Sequence, residues 1–422
     1  MNISKSLFNK IVLYAVIFFL ALLAPSQLNA PSQATIRAIC TGLAIDASQE
    51  IDNGVSVTAQ VLIPQPGGQY SQSMSLVTSD GLDLLEAFNK MEFQIGKKIR
   101  LEHCCFIIIG MKASEQNLTR TLDYLIRGNN SGNNTVLVQT KGEAKDLIAV
   151  SSNVNSNEID NIQTIVRYNE QYLTSNEANL KSFFSDYHSP HRTSIMSCIE
   201  TYKEDSTHDS GGHSESASNG GEQSSGSGES GGQSGSGGTT SKLDKIKNDG
   251  SVAVYLDGKL AKIVSGEERK YFNWLDGNLR DNYVKIENVN DKVFQNATIG
   301  YTILDKSLNP SFKMVNNTPC IFLDINLKLR TEMILEQDGT SLPYRSYISD
   351  AVVKAFNTLV EEEVQKAMEI QREYGFDVFN YYKEFNTNMT AQWQQYLNSL
   401  DTPQDYIKGI EVFTKVTCDS LV

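Results

Sequence analysis

The stretch IRLEHCCFIIIGMKASEQNLTRTLDYLIRGNNSGNNTVLVQT, residues 99–140, reads as strand, helix, strand. The continuous apolar run from Cys104 to Ile109 suits a strand covered on both faces. A helical segment opening at Ser114 then places Leu118, Leu122, Leu125 and Ile126 on one side and stops at Gly128. TVLVQT supplies a second strand. Upstream, GVSVTAQVLIP puts Val55, Val57, Ala59, Val61 and Ile63 on one face with the period of a half-buried strand. LDLLEAFNKM spaces Leu84, Leu85, Phe88 and Met91 as a helix, with Ser79-Asp80 as its caps. This part of the chain is α/β. From Glu158 to about Ser185 the pattern is helical and polar, with Ile159, Ile162, Ile165 and Val166 on one face.

The composition changes abruptly between residues 204 and 241. This stretch holds eleven of the chain's 29 glycines, many serines and almost no apolar side chains. Such a segment cannot bury enough surface to offset its ordering entropy, so a disordered Gly/Ser linker is expected. It either divides the exported part in two or forms a long loop within one domain. Beyond it, VAVYLDGKLAKIV is a hairpin turning at Asp257-Gly258, a pair suited to a type I′ turn. CIFLDINLKLR alternates Ile321, Leu323, Ile325, Leu327 and Leu329 with Asp324, Asn326, Lys328 and Arg330. A helix from about Tyr347 to Tyr374 repeats Val353, Phe356, Val360, Val364 and Ala367 and ends at Gly375; GIEVFTKVTC is a final strand. This half is α+β. A terminal strand often lies at a sheet edge, open to a partner strand, or beneath a neighbouring helix.

The N-terminus carries Lys5 and Lys10 ahead of the apolar run Ile11 to Ala24, which Pro25 closes. A basic head, an apolar run and a small-residue tail make an export signal. Cleavage suits Ala30 or Ala34, the latter better because Pro31 follows Ala30. Cys40 follows Arg37-Ala38-Ile39, which is not a lipobox. The chain is therefore secreted or held by an uncleaved N-terminal helix. The resulting domain division is 1–34 signal peptide or anchor, 35–203 α/β, 204–241 linker and 242–422 α+β.

The chain has 422 residues and a net charge of −13, from 37 basic and 50 acidic side chains without a long basic run. That balance disfavours nucleic acid as a partner, since non-specific binding rests on phosphate neutralisation. The six cysteines (40, 104, 105, 198, 320 and 418) have no CxxC spacing and read as structural, with one bridge at most.

Candidate chemistry is thin. GESGG at Gly228–Gly232 fits G-x-S-x-G, but a nucleophile elbow needs a strand before it and a helix after it. His208-Asp209-Ser210 is a triad only on paper, because triad members meet through a fold. His188 and His191 of YHSPHR could ligate a metal with His103 or an acid, yet solvated loop histidines are the commoner explanation. Glu361–Glu363 reads as an exposed acidic helix face, and Gly96–Arg100 lacks the strand–loop–helix context of a phosphate site. No catalytic, cofactor-binding or metal residues are assigned, and the chain reads as non-enzymatic.

The order of features resembles the Ger(x)C family, the C subunits of nutrient germinant receptors in endospore-forming bacteria. The resemblance rests on VAVYLDGKLAKIVSGEERKYFNWLDG, FLDINLKLRTEMILEQ and QREYGFDVFNYYKEFN, in which Gly375, Phe376, Asp377 and Phe379 match the family's Asp-x-Phe segment. Trp393 and IEVFTKV follow; upstream, IRAICTGLAID, VSVTAQVLIP and GLDLLEAFNKM…GKKIRLEHCCFIIIG look like the family's first domain. It covers roughly Thr35–Val150 and Ser251–Val422. It implies mixed sheets with packed helices over several domains. It also implies a membrane-associated subunit on the outer face of the cytoplasmic (spore inner) membrane, packed with integral-membrane receptor subunits of A and B type. Family members are typically lipoproteins, a pattern Cys40 does not meet, and the Gly/Ser linker is foreign to them. An extracytoplasmic solute-binding protein and a secreted cell-wall hydrolase are the rivals, the second lacking any catalytic set.

Overall fold

The computed structural model describes residues 13–14, 37–63, 73–127, 132, 134–153, 162, 178–203, 244–276, 282–336, 341–342 and 347–420. The first part of the chain contributes β1 (Arg37–Ala47), β2 (Val55–Ile63), β3 (Ser73–Gly81), α1 (Leu84–Ile95), β4 (Lys98–Arg100), β5 (Phe106–Ile109), α2 (Met111–Ser114) and α3 (Leu118–Arg127). It continues with β6 (Val136–Thr140), α4 (Ala144–Asn153), α5 (Leu180–His188), β7 (Thr193–Lys203), β8 (Asp244–Lys247), β9 (Val252–Leu256) and β10 (Lys259–Val264). Ten strands make one sheet in the order β10-β9-β7-β6-β5-β1-β2-β3, with β4 beside β1 and β8 beside β7.

The centre of this sheet, β1, β5, β6 and β7, is parallel. Parallel strands carry helices on both faces, which is why β5 is Phe-Ile-Ile-Ile with all four residues buried. Phe106 and Ile108 face Leu147 and Ile148 of α4. Ile107 and Ile109 face the opposite layer, with Leu84 and Met91 of α1, Leu122 of α3 and Phe183 of α5. Asp46 at the end of β1 accepts from Ala144 N (2.7 Å) and Lys145 N (2.9 Å), supplying the first turn of α4 with an anionic cap.

Three expectations change here. Ser79 and Asp80 lie in β3, a strand whose short, polar edge sequence hides it; α1 is capped instead by Asp83, which accepts from Glu86 N. Two helices, α2 and α3, replace the single helix opening at Ser114. The hairpin at Asp257-Gly258 forms with both residues at positive φ (52° and 75°), as a type I′ turn requires, but it joins the first sheet, β9 pairing with β7. Of the helical reading over 158–185, Ile162 is buried and α5 begins at Leu180, while 163–177 lie outside the described residues.

The Gly/Ser stretch also lies outside the described residues, but its flanks are fixed. Lys203 at the end of β7 pairs with Asp244 at the start of β8, so the segment begins and ends on adjacent antiparallel strands. The two ends of the segment thus lie side by side on the first sheet.

The second sheet is built from β11 (Asn282–Val289), β12 (Ala297–Val315), β13 (Thr318–Leu335), β14 (Ser341–Leu342) and β15 (Glu411–Ser420), reached from β10 through α6 (Gly266–Phe272). Its core face carries Ile321, Leu323, Ile325, Leu327 and Leu329, all buried, while Asp324, Asn326, Lys328 and Arg330 are exposed. Over the core face lie α7 (Asp350–Tyr374), α8 (Tyr381–Asn388) and α9 (Thr390–Asn398), then a 3₁₀ segment, Pro403–Gly409. Helix α7 starts at the Ser349 cap and ends at Gly375, whose φ of 73° needs the missing Cβ. Trp393 of α9 stacks on Phe385 of α8 with centroids 5.0 Å apart.

Among the described residues β15 pairs with β13 alone, in parallel, and so sits at an edge. That edge is already partly occupied: Asn357 of α7 donates to Val416 O and accepts from Val416 N, Gln365 donates to Val412 O and Arg372 to Ile410 O. One helix thus takes part of the backbone edge that could accept another strand.

Candidate functional site: the joint at Asp377

The chain leaves α7 at Gly375, turns through Phe376 and delivers Asp377 into the seam between the two sheets. Asp377 is 1 % exposed. Its carboxylate accepts from Tyr381 N (3.0 Å) and Tyr382 N (3.0 Å), the free donors at the start of α8, and from Tyr406 Oη (2.8 Å). Its own N–H donates to Thr193 Oγ1 at the first residue of β7 (3.0 Å), binding the second region to the first sheet. Burial pushes the Asp377 carboxyl up, against the hydrogen bonds from Tyr382, Tyr381 and Tyr406 and the nearby His191.

His191 approaches from the other side, two residues before Thr193. It is buried, and its Nδ1 lies 2.5 Å from Ser189 Oγ. Burial pushes the imidazole down although Asp377 pulls it up. Its Nε2 stands 3.8 Å from Asp186 Oδ1, too far for a hydrogen bond, and burial alone raises Asp186 to about 6. Both shifts disfavour the charged forms, so burial works against an ion pair at this contact.

Outside this knot a cleft of about 210 Å³ opens between the two regions, lined by His191, Arg192, Asp257, Tyr374, Tyr406 and Lys408 among others. Arg192 has a positive φ of 47° and pairs with Asp257 at 2.7 Å. A non-glycine residue held at positive φ marks a place where the surroundings override local preference. Lys408 pairs with Asp405 at 3.0 Å. The walls present both signs of charge and two aromatic rings, an arrangement that can hold a small polar molecule.

The residues singled out from the sequence are scattered. His103 is exposed in the loop before β5, His188 packs its ring on Tyr187 at the end of α5, and His191 turns into the joint. Among the described residues no group of three or more His, Cys, Asp or Glu side chains is arranged to hold a metal. Ser230 and His208–Ser210 lie outside the described residues. Glu361 and Glu362 are exposed, but Glu363 is half-buried and accepts from Trp274 Nε1, so the acidic run is partly a packing contact. Gly96–Arg100 forms the αL cap of α1 and then β4. The six cysteines are all free thiols, and Cys40 is fully buried in β1, donating to Gly42 O. Arg192 was missed altogether; a residue between a buried histidine and a strand start carries no periodic signal.

Two mixed sheets, one with helices on both faces and one with helices on a single face, joined at the buried Asp377, define a layered module with an internal joint. The chain belongs to the Ger(x)C family of spore germination proteins. The model of the spore germination protein N-terminal domain matches residues 35–201, and that of the spore germination B3/GerAC-like C-terminal domain matches residues 250–419. The crystal structure of the GerBC protein is similar to this chain with a TM-score of 0.49 and 15 % identity, over 90 % of this chain and 97 % of that one. No curated protein sequence matches the chain.

Proposed function

We propose that this protein is a non-catalytic C-type subunit of a nutrient germinant receptor. It is held on the outer face of the cytoplasmic (spore inner) membrane by its N-terminal segment, and it works by packing with integral-membrane subunits of A and B type. The observation that carries this reading is the presence of both family domains in order, over 35–201 and 250–419. Among the described residues no helix is long and apolar enough to cross a membrane, so the apolar run Ile11–Ala24 is the candidate for attachment. Cys40 lies buried in a central strand, and Arg37-Ala38-Ile39 before it does not make a lipobox. Deleting the gene should slow germination in nutrients and leave germination by receptor-bypassing agents unchanged. Purification from spore membranes should recover two multi-span subunits with this chain. Normal germination of the deletion strain in every nutrient, with no membrane partner recovered, overturns the proposal.

The mixed-charge cleft at the joint favours a second reading, capture of a small polar solute. A ligand that binds only the folded state raises its melting temperature. A nutrient-dependent shift that disappears in Arg192→Ala supports this reading, and the absence of a shift with any nutrient removes it.

A further inference from the structure

The end of the first sheet where β1 begins gathers features that neither the joint nor the receptor reading uses. Arg37, the first residue of β1, pairs with Lys98 of β4, and Ile39 with Arg100. Helix α1 runs back to this same end and caps at Gly96, placing Lys97 beside the pair. One turn before the cap, Phe93 is 90 % exposed, the most exposed of the large apolar side chains in the described residues. Tyr124 of α3 packs on Phe88 of α1 with ring centroids 5.8 Å apart, closing the flank. Arg37, Lys97, Lys98 and Arg100 thus gather with two carboxylates, Glu92 and Glu102, which pair with Lys98 at 2.8 Å and Arg100 at 3.6 Å. In a chain whose net charge is −13, this end carries the opposite sign.

The chain outside the structure says what this end faces. Arg37 lies thirteen residues beyond Ala24, the last residue of the apolar run. A segment of that length reaches at most ~45 Å when fully extended. If the run stays in a bilayer, the β1/β4 end is the part of the fold it keeps nearest the lipid. An exposed aromatic ring among cations is also the surface chemistry that settles on anionic headgroups.

We propose that the β1/β4 end, with Phe93 at its centre and Lys97, Lys98 and Arg100 around it, rests end-on against an anionic phospholipid surface. The inference rests on the reading that the N-terminal segment remains as a membrane anchor. The anionic remainder of the molecule is repelled by the same surface, so the charge asymmetry also sets the orientation.

The test uses the full-length chain in vesicles of phosphatidylcholine with or without phosphatidylglycerol, the acyl chains brominated to quench indole fluorescence. Trp274 and Trp393 are both buried and give a steady background. The Phe93→Trp variant should be quenched in phosphatidylglycerol vesicles. Leu82→Trp, at the far end of α1 and also exposed, should not be. Lys97→Glu and Lys98→Glu should each weaken docking by about fivefold, read as lost quenching. Equal quenching at Phe93→Trp and Leu82→Trp means that α1 lies flat and overturns end-on docking. Equal quenching in the two lipids overturns the anionic choice. A chain that floats with the vesicles while Phe93→Trp stays unquenched overturns this surface and leaves the anchor standing, the face then being one for a protein subunit. A chain that does not float with either vesicle overturns the anchor, and the proposal with it.

Discussion

In the first sheet the central strands are parallel, and β5 buries every one of its residues, Phe106–Ile109. In the second, β12 and β13 run 19 and 18 residues, antiparallel, and β13 alternates buried and exposed positions almost from end to end. The first is packed by helices on two faces and the second by α7, α8 and α9 on one. A strand covered on both sides leaves no polar residue to mark its register, so its partners must be found from topology. A strand covered on one side carries its register in its own sequence, because a slip by one residue would turn Ile325 outward and Lys328 inward.

The two regions meet at Asp377, and the largest expected effect tests whether they fold as one. Asp377→Ala strands three buried donors, Tyr381 N, Tyr382 N and Tyr406 Oη, and should cost ~3–5 kcal/mol. Urea unfolding followed by far-UV circular dichroism should show one transition moving as a whole. If the Trp274 and Trp393 fluorescence shifts alone, the first sheet stands independently and the joint is only a local contact.

The contrast in packing sharpens with truncations along a single strand. Ile107→Ala and Ile108→Ala face opposite layers and should each cost ~2–5 kcal/mol, since neither side of β5 is open. In β13, Leu327→Ala should cost as much, but its neighbour Lys328→Ala should change stability by less than ~0.5 kcal/mol. A tolerant residue in β5, or a costly Lys328→Ala, would erase the difference between the sheets.

A smaller effect separates the buried ions. In the first sheet Asp46 caps α4 with two backbone donors, whereas in the second Lys306 donates to Asn273 O (2.6 Å) and Trp274 O (3.1 Å) with no carboxylate bonded to it. Burial depresses Lys306 from 10.5 to about 7 despite the pull of Asp276. A depressed amine favours the neutral form in the folded state. Its penalty is therefore full below pH 7 and relieved as pH rises from 7 toward 10.5. Wild-type stability should climb across that window, and Lys306→Met should flatten the climb while raising stability near neutral pH by on the order of 1–3 kcal/mol. A Lys306→Met protein with an unchanged pH profile would show that the ammonium is not the group responsible.

The smallest effect belongs to the Gly/Ser stretch. Cutting 204–241 to about ten residues should shift the melting temperature by less than ~5 °C, because closure entropy changes by only ~0.6 kcal/mol per doubling of length. A larger fall would mean that the segment packs against one of the sheets.

Much of this was legible in residue order. The alternation of β13, the apolar run of β5 and the Asp257-Gly258 turn stand in the structure as read; the α7 repeat ends at Gly375 as read, but the helix starts at Asp350 and buries Val352 where Val353 was expected. β3 was not legible, because its Ser-, Thr- and Asp-rich edge sequence lacks an apolar signature. β12 was hidden by Pro310 and its polar neighbours, although the long pairing with β13 carries it through. The joint was half visible: Asp377 came with the family resemblance, and YHSPHR drew attention for metal binding. What the sequence could not show is that His191 and Asp377, 186 positions apart, share one buried space.

The pairing of Lys203 with Asp244 bears on how the chain can be divided. Cutting the covalent chain between them would leave a first fragment that lacks β8, β9 and β10, and a second that carries those three strands with no sheet to join. Neither piece is self-sufficient, yet each holds what the other lacks. Co-expressed halves should reassemble through β7, which makes the Gly/Ser stretch a natural site for a split-reporter assay of folding.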